Sequence, residues 1–251
     1  MDPTQRFTSR AAIYTAARPG YPRDILRVLE QTGDLRRPAC LADVGCGTGK
    51  LAEIFLEAGY DVIGVEPNDA MRAAGDEQHR GDPRFRSVSG RAEATTLGDR
   101  SVDAIVCGQA FHWFEPVATR REFARILKPG GLVALIWNNR ATGGDAFHTG
   151  YEALLRQYCP EYVRISAGYA NPEQVRAFFA PAAFQHARFE NSQTLDLGGL
   201  LGRLLSSSYV PQSGPDHEAL QRGVEALFQR HADNGRIRMR YDTELFFGKL
   251  A

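Results

Sequence analysis

The chain has 251 residues with 30 basic and 30 acidic side chains, giving zero formal net charge. Without a global field there is no pull toward nucleic acid or an anionic membrane, and no window approaches the ~20 consecutive apolar residues that cross a bilayer. Four cysteines, Cys40, Cys46, Cys107 and Cys159, show no paired spacing with one another or with histidine, so neither a metal site nor a disulfide framework is expected.

Met1 to Arg10 contains no apolar targeting stretch, and the expected location is cytoplasmic. The length suits a single α/β domain over 1–251, divided into an N-terminal arm (1–22), a ligand-binding core (23–140) and a C-terminal part (141–251). At the end of the arm, Pro22 opens a helix whose buried side carries Ile25, Leu26 and Leu29.

Cys40 to Val44 reads as a buried strand, and Asp43-Val44-Gly45-Cys46-Gly47-Thr48-Gly49 follows as a glycine-rich turn. After Lys50, residues Leu51, Ile54, Phe55 and Ala58 recur at helical spacing, with Gly59 as a stop. Glycines at alternate positions let the backbone adopt turns that a Cβ forbids, and they leave bare amides near a helix N-terminus for an anionic group. The dinucleotide fingerprint wants G-x-G-x-x-G, whereas the spacing here is G-x-G-x-G with Asp43 before it. Glu66 ends the apolar run Val62-Ile63-Gly64-Val65, about 20 residues on, where either a dinucleotide or a sulfonium nucleoside would meet an acid at its ribose hydroxyls. That acid supports the class of ligand without choosing between the two.

Strands are expected near 40–45, 61–66, 84–88, 102–108 and 131–138, with helices near 49–58, 68–77 and 116–127. This alternation implies a parallel sheet with helices on both faces and ligands at the carboxyl ends of the strands. Beyond Gly143-Gly144, helices are expected at 146–158, 172–180, 195–210 and 217–231, and strands at 184–190 and 243–249. The helical stretches that break the alternation, together with 146–180, are read as a cap.

Leu41 to Gly49, Val62 to Pro67, Gly90-Arg91-Ala92-Glu93, Val102 to Val106 and Leu127-Lys128-Pro129-Gly130-Gly131 stand in the order of a known family. In them the chain resembles the class I S-adenosylmethionine-dependent methyltransferases of small-molecule type. Tyr14, Arg18-Pro19-Gly20-Tyr21-Pro22 and Phe111-His112-Trp113-Phe114 are similar to the branch containing trans-aconitate-methyltransferase-like proteins. The resemblance implies a doubly wound, mostly parallel seven-stranded Rossmann-like sheet with an antiparallel edge pair and a helical cap. It also implies methyl transfer from S-adenosylmethionine to a small organic acceptor, and the nearer branch implies a carboxylic acid. RNA or protein methylation and noncatalytic binding of the cofactor are the alternatives.

For the cofactor, the amides of Gly45, Cys46, Gly47 and Gly49 suit the methionyl carboxylate side, and Asp43 the ammonium or the loop itself. Glu66 followed by Pro67 suits the ribose diol, Met71 the adenine face, and Ala92 and Glu93 the adenine edge. Gln109 follows the fourth strand and completes this set. Arg18 is expected to clamp the methionyl carboxylate, with Tyr14 or Tyr21 as a shield. His112 is the candidate general base. His112, Trp113 and Tyr209 are the candidate substrate contacts. Arg236, Arg238 and Arg240 alternate along an extended segment and are read as a solvated strand edge.

Overall fold

The computed structural model describes residues 17–250; Tyr14 lies outside the described residues. In chain order these residues form α1 (Asp24–Gln31), β1 (Cys40–Val44), α2 (Ala52–Glu57), β2 (Asp61–Val65), α3 (Asp69–Gln78), β3 (Phe85–Val88) and β4 (Val102–Gly108). A 3₁₀ turn (Phe111–Trp113) leads to α4 (Pro116–Ile126), β5 (Leu127–Arg140), α5 (Ala146–Tyr158), α6 (Tyr162–Ser166) and α7 (Pro172–Phe179). The chain ends with β6 (Phe184–Leu195), α8 (Leu197–Leu205), α9 (Pro215–His231) and β7 (Ile237–Lys249).

One seven-stranded sheet runs in the order β3-β2-β1-β4-β5-β7-β6. The first five strands are parallel, while β7 runs antiparallel between β5 and β6. The order reverses direction between β1 and β4, so the loops after these two strands diverge and leave a crevice at their carboxyl ends. One face of the sheet is covered by α1 and α2 through Ile25, Leu29, Ile54 and Phe55. The other is covered by α4 and α7 through Phe123, Ile126, Phe178 and Phe179. Thus α7 belongs to the sheet layer, whereas the sequence pattern assigned 172–180 to the cap.

A third apolar cluster joins α5, α8 and α9 to the projecting ends of β6 and β7, through residues such as Phe147, Leu155, Leu204, Val224 and Met239. This is the cap. It rests on a long ladder, because β6 and β7 stay paired from Phe184↔Gly248 to Leu195↔Ile237, well past the two shorter strands read from sequence. The added portion, Asn191-Ser192-Gln193-Thr194 facing Tyr241-Arg240-Met239-Arg238, mixes polar and apolar residues and gives no continuous apolar run.

Two boundaries differ for local reasons. Gly49 has φ +75 and belongs to the turn, so α2 begins only at Ala52. Leu127 already pairs with Val102, and the register shift before Ala104↔Leu132 absorbs Lys128-Pro129-Gly130-Gly131 into β5. The five-residue α6 is too short to show a helical period.

Candidate active site

The loop after β1 is shaped by what its glycines allow. Gly45 has φ +71, and a Cβ there would stand 2.6 Å from the Ala110 methyl; Gly47 has φ +57 and faces Met71. Gly64, the residue paired with Asp43, leaves room for the Cys46 thiol, which would lie 2.8 Å from a Cβ there. Cys46 therefore packs beneath the loop, and burial drives its thiol pKa well up. Gly49 sits against the His79 ring, so it too supports the loop from behind.

A cavity opens beside this loop, lined by Gly45, Gly47, Glu66, Pro67, Met71, Arg91, Ala92, Glu93, Gly108, Gln109, Ala110, Trp113 and Phe114. Glu66 Oε2 accepts from the Gly47 amide and Oε1 from the Asn68 amide, both at 2.9 Å. Those bonds oppose burial, which still raises the Glu66 pKa. Asn68 Oδ1 caps α3 by accepting from Met71 N, placing Met71 in the wall. Ala92 and Glu93 sit in a tight turn closed by the Arg91–Ala94 backbone pair. Glu93 Oε1 accepts from the Glu115 amide.

Under the loop, Asp43 is fully buried and neither carboxylate oxygen has a hydrogen-bond partner. Burial first, and then the nearby charge of Glu66, push its pKa up to about 8, against a weaker pull from the Ala52 amide. A bare buried carboxylate of this kind is costly unless it is protonated or meets a cation.

Gln109 follows directly on β4 with φ +56, an uncommon backbone for a residue with a Cβ. Its amide bonds Ile136 O at 2.9 Å and its Nε2 donates to Asn138 O at 2.7 Å. The acceptor is a carbonyl, which fixes the orientation of the side-chain amide and leaves Oε1 buried without a partner.

Gln109 also lines a second cavity, of about 270 Å³, with Arg18, Asn138, Asn139, Arg140, Thr142, Glu152, Arg156, Tyr162, Ser166, Tyr169, Arg203 and Tyr209. Among the described residues it is the one common to both linings, and four of their guanidinium groups face this space with one carboxylate. Glu152 takes Arg140 at 2.6 Å, Arg156 at 2.7 Å and the Tyr162 hydroxyl at 2.6 Å. These partners hold its pKa down despite burial. Arg203, on α8, is 6% exposed, and it donates to the Tyr241 hydroxyl and to Ser207 Oγ.

The segment from Ala17 to Tyr21 crosses between the cap and the sheet. Arg18 Nη2 donates to Ser206 O, Gln193 Nε2 to Ala17 O, and Asn138 and Asn191 both donate to Gly20 O. Tyr21 places its hydroxyl against Gly108, where a Cβ would be 2.6 Å away. The structure thus brings Arg18 into the second cavity, not the first where the sequence placed it; Tyr21 stands by the first.

His112 lines neither cavity. Its Nδ1 accepts from Trp137 Nε1 at 3.3 Å and its ring lies edge-on to Tyr169. Burial, followed by the charge of Arg18, pushes its pKa down to about 3. Trp113 is in the first lining and Tyr209 in the second, where its ring meets Tyr162 at 4.9 Å. Arg238 and Arg240 lie outside both, on the face of the β6–β7 ladder, and Arg240 pairs with Asp145.

Residues 42–135 match the methyltransferase domain family. A methyltransferase of Mycobacterium bovis, itself described as uncharacterized, is 37% identical over 143 residues, covering 55% of this chain and 54% of its own. Another from Schizosaccharomyces pombe is 36% identical over 135 residues, covering 53% of each. The chain spans about half the length of these curated relatives. Residues 42–135 belong to the methyltransferase domain family. The likeness of fold extends beyond the matched stretch. A methyltransferase structure from Anaeromyxobacter dehalogenans superposes with a TM-score of 0.66 at 23% identity, over 92% of this chain and 97% of that one. The Haemonchus contortus phosphoethanolamine N-methyltransferase 2, in complex with phosphomonomethylethanolamine and S-adenosylhomocysteine, superposes at 0.58 and 19% identity, over 99% of this chain and 58% of its own.

The first cavity fits S-adenosylmethionine on three observations. The bare loop at Gly45 and Gly47 leaves the space a side chain would fill. Asp43 is a buried acid lacking a partner, and Gln109 Oε1 is a buried acceptor lacking a donor; both suit an ammonium group. Sequence reasoning missed Arg91, Gly108, Ala110 and Phe114 in this lining, and most of the second. Two signals were there to read: Asn138-Asn139-Arg140 ends an apolar strand abruptly, and Arg203 is the lone charge in Leu197-Gly-Gly-Leu-Leu-Gly-Arg-Leu-Leu205.

Proposed function

We propose that the protein transfers a methyl group from S-adenosylmethionine in the first cavity to a small organic acid in the second. The observation that carries this reading is the shared residue Gln109, which puts a donor berth and an acceptor berth side by side. When bound, the cofactor supplies an electrophilic methyl group on a sulfonium. Glu66 and Pro67 hold its ribose, Met71, Ala92 and Glu93 its adenine, and Asp43, Gly45, Gly47 and Gln109 its amino-acid end.

The second cavity supports an acidic acceptor through Arg18, Arg140 and Arg203, since a guanidinium matches a carboxylate with two parallel bonds. Its volume of about 270 Å³ lies near the lower end of the ~300–1,000 Å³ common for small-ligand sites, which suits a metabolite better than a polymer. A carboxylate acceptor is already a nucleophile and needs no base. His112 then has no proton to take, in keeping with a ring nitrogen occupied by Trp137 and a pKa near 3. The chain's contribution is placement and exclusion of water, with the cap and the Ala17–Tyr21 segment as the cover.

The experiment is incubation of the purified protein with methyl-labelled cofactor and fractionated metabolites, followed by mass spectrometry. Label in a small acid ester supports the reading. Label only in RNA or protein, or binding of the cofactor with no transfer, overturns it.

A further inference from the structure

The second cavity contains a charge that the other described residues leave without a counter-ion. Among its four arginines, Arg140 and Arg156 share Glu152. Arg203 does not. It is 6% exposed, and its Nε and Nη1 meet only hydroxyls, Tyr241 at 3.1 Å and Ser207 Oγ at 3.0 Å. Its guanidinium carbon lies 5.8 Å from the centre of the Tyr241 ring. No ion pair joins it to a carboxylate among the described residues, and Nη2 makes no hydrogen bond to them.

Removing a guanidinium from water without a counter-ion is costly, and neutral hydroxyls and a ring face offset only part of that cost. Nothing in the packing of α8 requires it, because Leu200 and Leu204 already fill the apolar cluster. The charge is held in place as well as buried. Tyr241 is itself fixed by donating to Gln193 Oε1 at 2.7 Å, and Ser207 follows α8 in the turn whose Ser206 carbonyl receives Arg18. A guanidinium that lines the cavity, held at Nε and Nη1 by neutral hydroxyls and with Nη2 left over, is arranged for an anion.

We infer that Arg203 is a specificity-determining residue that anchors a second anionic group, a carboxylate or a phosphate, at the non-reacting end of the acceptor. This rests on the reading of the second cavity as the acceptor berth. Methylation of an acid removes the charge at the reacting end, so an anchor at the other end holds substrate in place without depending on the group that is consumed. Arg203 on the cap and Gln109 on β4 would then set which acceptors span the cavity.

The test is titration calorimetry of the full chain with succinate, inorganic phosphate and butyrate, using wild type, Arg203→Lys and Arg203→Met. Wild type is expected to bind succinate or phosphate and to bind butyrate more weakly. Arg203→Met should lose at least about tenfold in affinity for the dianion, and Arg203→Lys less, since it keeps the charge but not the planar fork. Preference for succinate identifies the anchored group as carboxylate, and preference for phosphate identifies it as phosphoryl; either supports the anchor. Should Arg203→Met fold poorly by thermal melt, Ser207→Ala, which removes one brace while keeping the charge, is expected to weaken the same binding severalfold. Equal dianion affinity in wild type and variants, or none in wild type, overturns the proposal. On the acceptor found by labelling, Arg203→Lys should raise KM and leave kcat nearly unchanged. Dianion binding that depends on Arg203 yet does not compete with that acceptor overturns the acceptor-berth reading instead, and the acceptor anchor with it.

Discussion

Gln109 Nε2 donates to the Asn138 carbonyl at 2.7 Å, and with the bond of its backbone amide to Ile136 O it ties the turn after β4 to β5 at the place where the two cavities meet. The side-chain bond fixes which end of the side-chain amide carries the unpartnered oxygen. Gln109→Leu removes both that bond and the acceptor. It is expected to lower kcat/KM by roughly 10- to 100-fold, the scale of one lost polar contact in a closed site, while Gln109→Asn, which tolerates the left-handed backbone better, loses less. Steady-state kinetics alongside thermal melts separate this from simple destabilisation; unchanged kcat/KM in Gln109→Leu would remove Gln109 from the site.

His112 offers the opposite expectation. With Nδ1 accepting from Trp137 and the ring pKa near 3, the imidazole is neutral throughout the physiological range. His112→Asn should keep kcat within about threefold and leave the pH–rate profile unmoved, since a group with a pKa far below the working pH is a poor base. A lost acidic limb in the variant's profile would restore His112 as the base.

The parts of the site that were legible in sequence are those fixed by local backbone. Gly45, Gly47, Glu66, Met71 and Glu93 each follow a strand end within a few residues, and all five line the first cavity. The second cavity was not legible in the same way. Its walls come from β5, α5, α6, α8 and the loops beside them, and they converge only because β6 and β7 extend past the sheet to hold the cap. Arg18 shows the same limit: its neighbours along the chain placed it near the cofactor, while long-range bonds from Gln193 and Asn191 and its own bond to Ser206 draw it toward the cap.

Asp43 gives the fold a pH dependence of definite sign. Its folded pKa is raised, to about 8, above the ordinary carboxyl value of 3.8, so the native state keeps a proton that the unfolded chain releases. Stability is therefore greatest below about pH 4 for this group and falls as pH rises toward 8. Asp43→Asn removes the titration, so its melting temperature should fall less than that of wild type between pH 5 and 8. Glu66, also raised, acts in the same direction and leaves a residual slope. If wild type and Asp43→Asn show parallel profiles, the acid is not protonated in the native state.

His148 works in the reverse sense. It is 1% exposed, with Nδ1 bonded to Asp145 and Nε2 accepting the Arg240 amide at 3.0 Å. The ring is neutral and carries its proton on Nδ1. Burial lowers its pKa below 6.5, in spite of Asp145. The unfolded chain thus takes up a proton first, and the contribution of this group is present above about pH 6.5 and is lost as pH falls. His148→Gln should weaken the acid-side loss in thermal melts, at a cost of ~1–3 kcal/mol near pH 7.5 for the broken buried bonds.

Glu152 holds the second cavity together electrostatically, because Arg140, Arg156 and Tyr162 all converge on its carboxylate. Arg156 is well exposed and contributes little. Arg140 is 8% exposed at its side chain and has no second carboxylate among the described residues, so Glu152→Ala leaves its charge stranded. A loss of ~3 kcal/mol is expected, the lower end of the range for breaking a buried pair, whereas Glu152→Gln keeps two hydrogen-bonding positions and loses less. The two variants should also diverge in ligand response. Each leaves the cavity one negative charge short, so millimolar succinate should raise their melting temperatures by more than it raises that of wild type, with Glu152→Ala showing the larger recovery. A flat response in both would mean that the arginines of this cavity do not act together on an anion.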